Sequence, residues 1–96
     1  MSGTIRGKIV EVTSQGDLVT DLLAEHLEGV SRTADTKVTV DNDHETFGIF
    51  PSDHGQPAMT LVAIVEPPEP LRLHLVSDSA AMMLGVRVGA AVEVSW

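Results

Sequence analysis

The 96-residue sequence predicts a mainly β domain, a small antiparallel Greek-key barrel with one or two short helices. Three observations carry that expectation. Apolar and polar residues alternate over short segments, with Leu71, Leu73 and Leu75 around Arg72 and His74, and Val92, Val94 and Trp96 around Glu93 and Ser95. Turn-forming clusters at 14–17, 41–45 and 66–70 separate such segments. Residues 59–65 are almost unbroken apolar, which suits a strand buried on both faces of a small barrel.

The segment 71–96 writes a strand, a helix and a second strand from local signals alone. After the Leu71 alternation, Ser77 and Asp78 suit a helix start, the run from Ala80 to Leu84 favours the helix, and Gly85 supplies a left-handed stop. Gly89 turns the chain into the closing strand.

Upstream, residues 4–13 read as a strand whose pattern changes phase. Ile5 and Ile9 share one face, Val10 and Val12 the other, and Gly7 marks a bulge or a close approach of another backbone. A reversal at 14–17 uses Gly16. Leu18 and Val19 then read as a short strand entering a helix, with Leu18, Leu22, Leu23 and Leu27 at helical spacing, Thr20 or Asp21 as cap, and an end near Gly29. Residues 31–36 are polar loop, Val38 and Val40 mark a strand, and 45–50 another. Prolines 67, 68 and 70 delay the following strand to about Leu71.

Composition bounds the function. The chain is 43% hydrophobic with Phe47, Phe50 and Trp96 as its aromatics, so one aliphatic core in one domain, 1–96, is expected. Six basic against fourteen acidic residues give a formal charge of −8, which repels phosphate backbones and anionic headgroups. Nucleic acid and membrane are thereby excluded as expected partners. No apolar run reaches membrane-spanning length and no signal pattern opens the sequence, so a cytoplasmic protein fits. The absence of cysteine removes disulfides, thiolate metal sites and thiol nucleophiles.

Candidate chemistry is sparse. The cluster Asp41, Asn42, Asp43, His44, Glu45 offers cation ligands but lacks the glycine and the distal glutamate of a calcium loop, and reads as a solvated hairpin turn. His44, Asp53 and His54 have no mechanism-specific spacing. His26 and His74 read as structural or solvated. Glu66 and Glu69 sit in a proline-stiffened loop that projects them to water. No serine has the glycine context of a nucleophile elbow, and no phosphate-binding strand–loop–helix order is present. Phe47 belongs most simply to the core, or stacks on a purine from a barrel rim. Neither a catalytic residue nor a metal site nor a cofactor is assigned.

Three blocks nevertheless form a pattern. Gly7-Lys8-Ile9-Val10-Glu11-Val12 leads to Gly16-Asp17-Leu18-Val19-Thr20-Asp21; Thr46-Phe47 is followed by Gly55-Gln56-Pro57; Ser79-Ala80-Ala81-Met82-Met83-Leu84-Gly85-Val86 is followed by Gly89-Ala90-Ala91-Val92-Glu93-Val94. In order and spacing they resemble the carboxy-terminal domain of the S-adenosylmethionine hydroxide adenosyltransferases and their fluorinating and chlorinating relatives. The resemblance runs from about Thr4 to Trp96. It implies an antiparallel barrel that, in the family, works beside an amino-terminal catalytic domain in a trimer, with the nucleoside between that domain and a neighbour's carboxy-terminal one. The ligand positions it implies are Asp17, Asp21 and Phe47. At the first two, family asparagines are replaced by carboxylates that accept but do not donate, and Phe47 keeps an aromatic for adenine.

Two functions follow as expectations. The first is a stand-alone noncatalytic barrel module for assembly or small-ligand binding, with an adenosyl compound as candidate ligand, acting as a homo-oligomer. The alternative is one half of a split adenosyltransferase working with a separate catalytic subunit. An unrelated double-psi barrel shares the closing phrase of the third block, and strand order distinguishes it.

Overall fold

The two outermost strands of the sheet are consecutive in the chain, and this brings its edges together. The computed structural model describes residues 3–30, 33, 35–51 and 55–96. Its strands are β1 (Thr4–Val12), β2 (Leu18–Thr20), β3 (Lys37–Val40), β4 (His44–Phe47), β5 (Ile49–Phe50), β6 (Leu61–Ile64), β7 (Arg72–Leu75) and β8 (Ala91–Ser95), with a short helix α1 (Ala80–Leu84). Their spatial order is β4-β3-β8-β1-β2-β7-β6-β5. Only Gly48, at φ 84°, separates β4 from β5. The expected single strand over 45–50 is therefore broken there, because the left-handed residue turns the chain out of one ladder and into the other.

The result is a mainly β, nearly closed barrel, as the alternation predicts. Its pairs are antiparallel except β5–β6, which is parallel. Closure is completed by a side chain: Thr46 Oγ1 of β4 donates to the Leu61 carbonyl of β6 at 2.7 Å.

Registers set two sides. Leu18, Leu73, Ala63 and Ile49 lie opposite one another across β2, β7, β6 and β5 on the inner side, as do Ile5, Val94, Val38 and Thr46 across β1, β8, β3 and β4. Leu18, Leu73, Ala63, Val38 and Val94 are fully buried, each large aliphatic side chain contributing about 1.5–3 kcal/mol before entropy. Strand β6 is buried on both faces, as its apolar run predicts: Val62 and Ile64 on the outer side are as inaccessible as Ala63 on the inner.

The phase change in β1 has a structural cause. Its register with β2 shifts between Ile9 and Glu11, so the bulge lies there; around Gly7 it is side chains, not another backbone, that crowd in, and an added Cβ would press on Asp21 and on Leu22 Cγ at 2.8 Å.

Three local expectations are corrected. Ser79, neither Ser77 nor Asp78, caps α1, accepting the Met82 N–H at 3.2 Å, while Gly85 ends it at φ 69° as expected. The leucines of 18–27 do not make an α-helix. Thr20 and Asp21 cannot cap one, because the Thr20 hydroxyl donates to the Leu71 carbonyl and the Asp21 carboxylate accepts from Lys8 N–H. Strand pairing wins, and only a 3₁₀ turn, Ala24–Leu27, follows. Finally, Phe47 is 52% exposed on the outer side, not a core residue. No described helix is long and apolar enough to cross a membrane.

Candidate functional site

The β2–β7 register assembles a charged cluster on the outer side of the barrel. Leu18 lies opposite Leu73 and Val19 opposite Arg72, so the next step of an antiparallel ladder sets Asp17 across from His74. The turn before β2 fixes Asp17: Thr13 Oγ1 accepts the Asp17 N–H at 3.0 Å, Gly16 N–H donates to the Thr13 carbonyl, and Gly16 itself takes φ 88°. On the far side of β7, Val62 and Ile64 of β6 pair with His74 and Arg72. Arg72 and His74 thus lie between an acid and a buried aliphatic wall.

Asp17 Oδ1 is 2.7 Å from His74 Nδ1. An ionised carboxylate only accepts, so Nδ1 carries the proton in this bond. Asp17 Oδ2 lies 3.7 Å from Arg72 Nε, within ion-pair range but beyond a hydrogen bond. Arg72 Nε is buried without a hydrogen-bond partner among the described residues, while Nη1 reaches Glu69 Oε2 at 3.4 Å. The Asp17 side chain is only 14% exposed. A carboxylate so enclosed and so engaged fastens the turn before β2 to β7.

The three residues singled out by sequence are engaged differently. Asp21 is tied to β1 on both sides, its Oδ1 accepting from Lys8 N–H at 3.0 Å and its own N–H donating to the Lys8 carbonyl at 3.1 Å. Phe47 ends β4 opposite Lys37 and projects outward. A surface depression of about 280 Å³ lies elsewhere, lined by Arg6, Asn42, Ala91, Val92 and Glu93, with Arg6 Nε 2.9 Å from Glu93 Oε2. Neither Asp17, Asp21 nor Phe47 lines it.

Other candidates resolve into structural roles. His44 Nε2 donates to the Leu84 carbonyl at 3.1 Å, tying β4 to the last turn of α1. His26 Nδ1 accepts the Leu23 N–H at 3.0 Å, and Glu66 and Glu69 are exposed. Asp53 and His54 lie outside the described residues. Among those described, no group of three or more histidines and acids gathers around a common metal position. Sequence reasoning missed the Asp17–His74–Arg72 cluster. Its one available signal was the polar pair Arg72 and His74 alternating with leucines on a strand; the partner acid is fifty-seven residues from His74 and has no local mark.

No family model and no curated protein matches the chain. Among solved structures, it is similar to an uncharacterized conserved protein from Thermotoga maritima, with a TM-score of 0.77 and 17% identity over 95% of this chain and 35% of that one. At that identity the likeness is one of fold. The chain spans about a third of that protein's length.

Proposed function

We propose that this barrel is a noncatalytic module for assembly or small-ligand binding. One observation carries the reading: the acids that sequence offered as ligand groups are held by the barrel's own strands, Asp17 largely enclosed and Asp21 at the surface. Asp21 holds β1 through Lys8, and Asp17 holds β7 through His74 and Arg72. Groups spent on register are poor bases or metal ligands, and binding is left to exposed side chains such as Phe47.

An adenosyl compound is the ligand class suggested by the sequence resemblance, with Phe47 as its stacking surface. Titrating the chain with adenosine and with S-adenosylmethionine while following amide shifts tests this. Saturable shifts confined to Phe47 and its cross-strand neighbour Lys37 support ligand binding; none at millimolar ligand leaves assembly alone. Sedimentation of the purified chain tests assembly as a homo-oligomer.

A second reading is the accessory half of a split adenosyltransferase, acting with a separate catalytic chain. What favours it is that the same fold makes up about a third of a longer protein. Turnover of S-adenosylmethionine by the isolated barrel would overturn both readings.

A further inference from the structure

Exposed aliphatic side chains collect at one end of the barrel. Helix α1 lies over that end: Ala81 N–H donates to the Gly16 carbonyl in the β1–β2 turn, and the Leu84 carbonyl accepts from His44 at the start of β4. Met82 and Met83 are on α1, 84% and 54% exposed. Met59 joins the same end because its N–H donates to the Val76 carbonyl just past β7. Val88 belongs to the connection from α1 to β8, held by Gly89 N–H on the Ile9 carbonyl, and Val12 closes β1 beside the turn. All five are exposed; of the other exposed large apolar residues described, Phe47 ends β4 and Leu23 follows β2 at the opposite end, and Val10 lies along β1.

Such a collection is unusual for a chain with a well-filled core. Every methionine among the described residues is exposed, although methionine ordinarily fills gaps in cores; its other recurrent use is at adaptable binding surfaces. Met59 also holds a left-handed φ of 66°, a conformation that costs a non-glycine residue about 1–2 kcal/mol.

Charge identifies the occupant. Among the described residues, exposed Glu11, Asp41, Asp43 and Asp78 lie towards this end against exposed Arg87 and, opposite Ala91, Lys8, within a chain of net charge −8. A second copy would bring the same acids face to face, and like charges juxtaposed across an interface oppose docking. We propose that the α1 end receives another polypeptide, one presenting an apolar face ringed by lysine or arginine, and not a second copy of this chain. The proposal goes beyond the homo-oligomer of the assembly reading: it gives this end a different partner and leaves self-assembly to another face. The methionines supply an adaptable apolar centre and the acids steer the basic partner.

The test uses a synthetic amphipathic helical peptide of leucine and lysine as probe, with its leucine–glutamate counterpart and a scrambled leucine–lysine peptide as controls. Binding is followed by the methyl signals of Met59, Met82 and Met83 in the intact chain. The expected result is saturable shifts of those methyls with the amphipathic lysine peptide alone, weakened by salt and by at least about tenfold in the Met82→Glu/Met83→Glu variant. A Met82→Ser/Met83→Ser variant, which adds no charge, should lose affinity too while melting like the parent. Shifts centred on Phe47, equal response to the scrambled peptide, or no shift would overturn the proposal. So would self-association that the methionine substitutions abolish. Adenosine shifts at Phe47 with silent methionines would sink this inference and leave the ligand-binding reading standing.

Discussion

Asp17 and His74, fifty-seven residues apart in sequence, meet at 2.7 Å between carboxylate and Nδ1 and fasten the turn before β2 to the middle of β7. Both side chains are largely enclosed, so the bond is shielded from the competition with water that weakens surface pairs. Asp17→Ala should destabilise the fold by about 1–3 kcal/mol, because it leaves His74 Nδ1 and the buried Arg72 Nε without their acid. A double-mutant cycle with His74→Ala, read by urea denaturation, should give a coupling of about 0.5–3 kcal/mol. Additive single effects would mean that the contact contributes nothing.

Leu73 occupies the centre of the inner row between Leu18 and Ala63, with no exposed surface. Leu73→Ala should cost about 2–5 kcal/mol, from lost burial and the cavity left in a rigid sheet. Leu73→Asp should abolish cooperative folding, since no described partner is placed to satisfy a charge there. A cooperatively melting Leu73→Asp protein would remove this strand from the core.

Gly16 and Gly85 both have positive φ, yet substitution should separate them. Around Gly85 an added Cβ meets nothing within 4 Å, so Gly85→Ala should cost only the left-handed penalty, about 1–2 kcal/mol. At Gly16 the same Cβ would press on Ser79, including its backbone Cα at 2.9 Å, and would push α1 off the β1–β2 turn. Gly16→Ala should therefore be clearly worse in thermal melts, and Ser79→Gly should relieve it only partly, because the backbone atom remains. Equal melting points would contradict this packing.

The barrel seam depends on the Thr46 hydroxyl. Thr46→Val keeps the shape but removes the 2.7 Å bond to the Leu61 carbonyl, for a loss of about 0.5–1.5 kcal/mol. Amide exchange should accelerate in β4 more than in β7, which is paired on both sides. Unchanged exchange in β4 would show that Gly48 and the ladder to β3 suffice to hold the seam.

Much of the architecture was legible because it is written locally. Alternation at 71–75 and 91–96 gave β7 and β8, the apolar run gave the doubly buried β6, and Gly85 gave the end of α1. Where local signals compete, legibility failed. The leucines at 18, 22, 23 and 27 have helical spacing, but the Thr20 and Asp21 side chains are engaged by Leu71, just before β7, and by β1, and the chain stays extended into a short turn. The phase change in β1 was visible, but its place at Ile9 to Glu11 was not, because a bulge is defined by the partner strand.

By itself the sequence determined a small aliphatic β domain with a terminal strand–helix–strand unit and a strongly acidic surface, since these follow from residue periodicity, capping and charge. Only the tertiary structure decided that Asp17 would meet His74, that Asp21 would be taken up by Lys8, and that Phe47 and the methionines would face outward. The physical reason is that register between strands far apart in sequence is settled by the burial of whole rows such as Leu18, Leu73, Ala63 and Ile49. No single segment carries that row, so no single segment reveals what its outward-facing neighbours will meet.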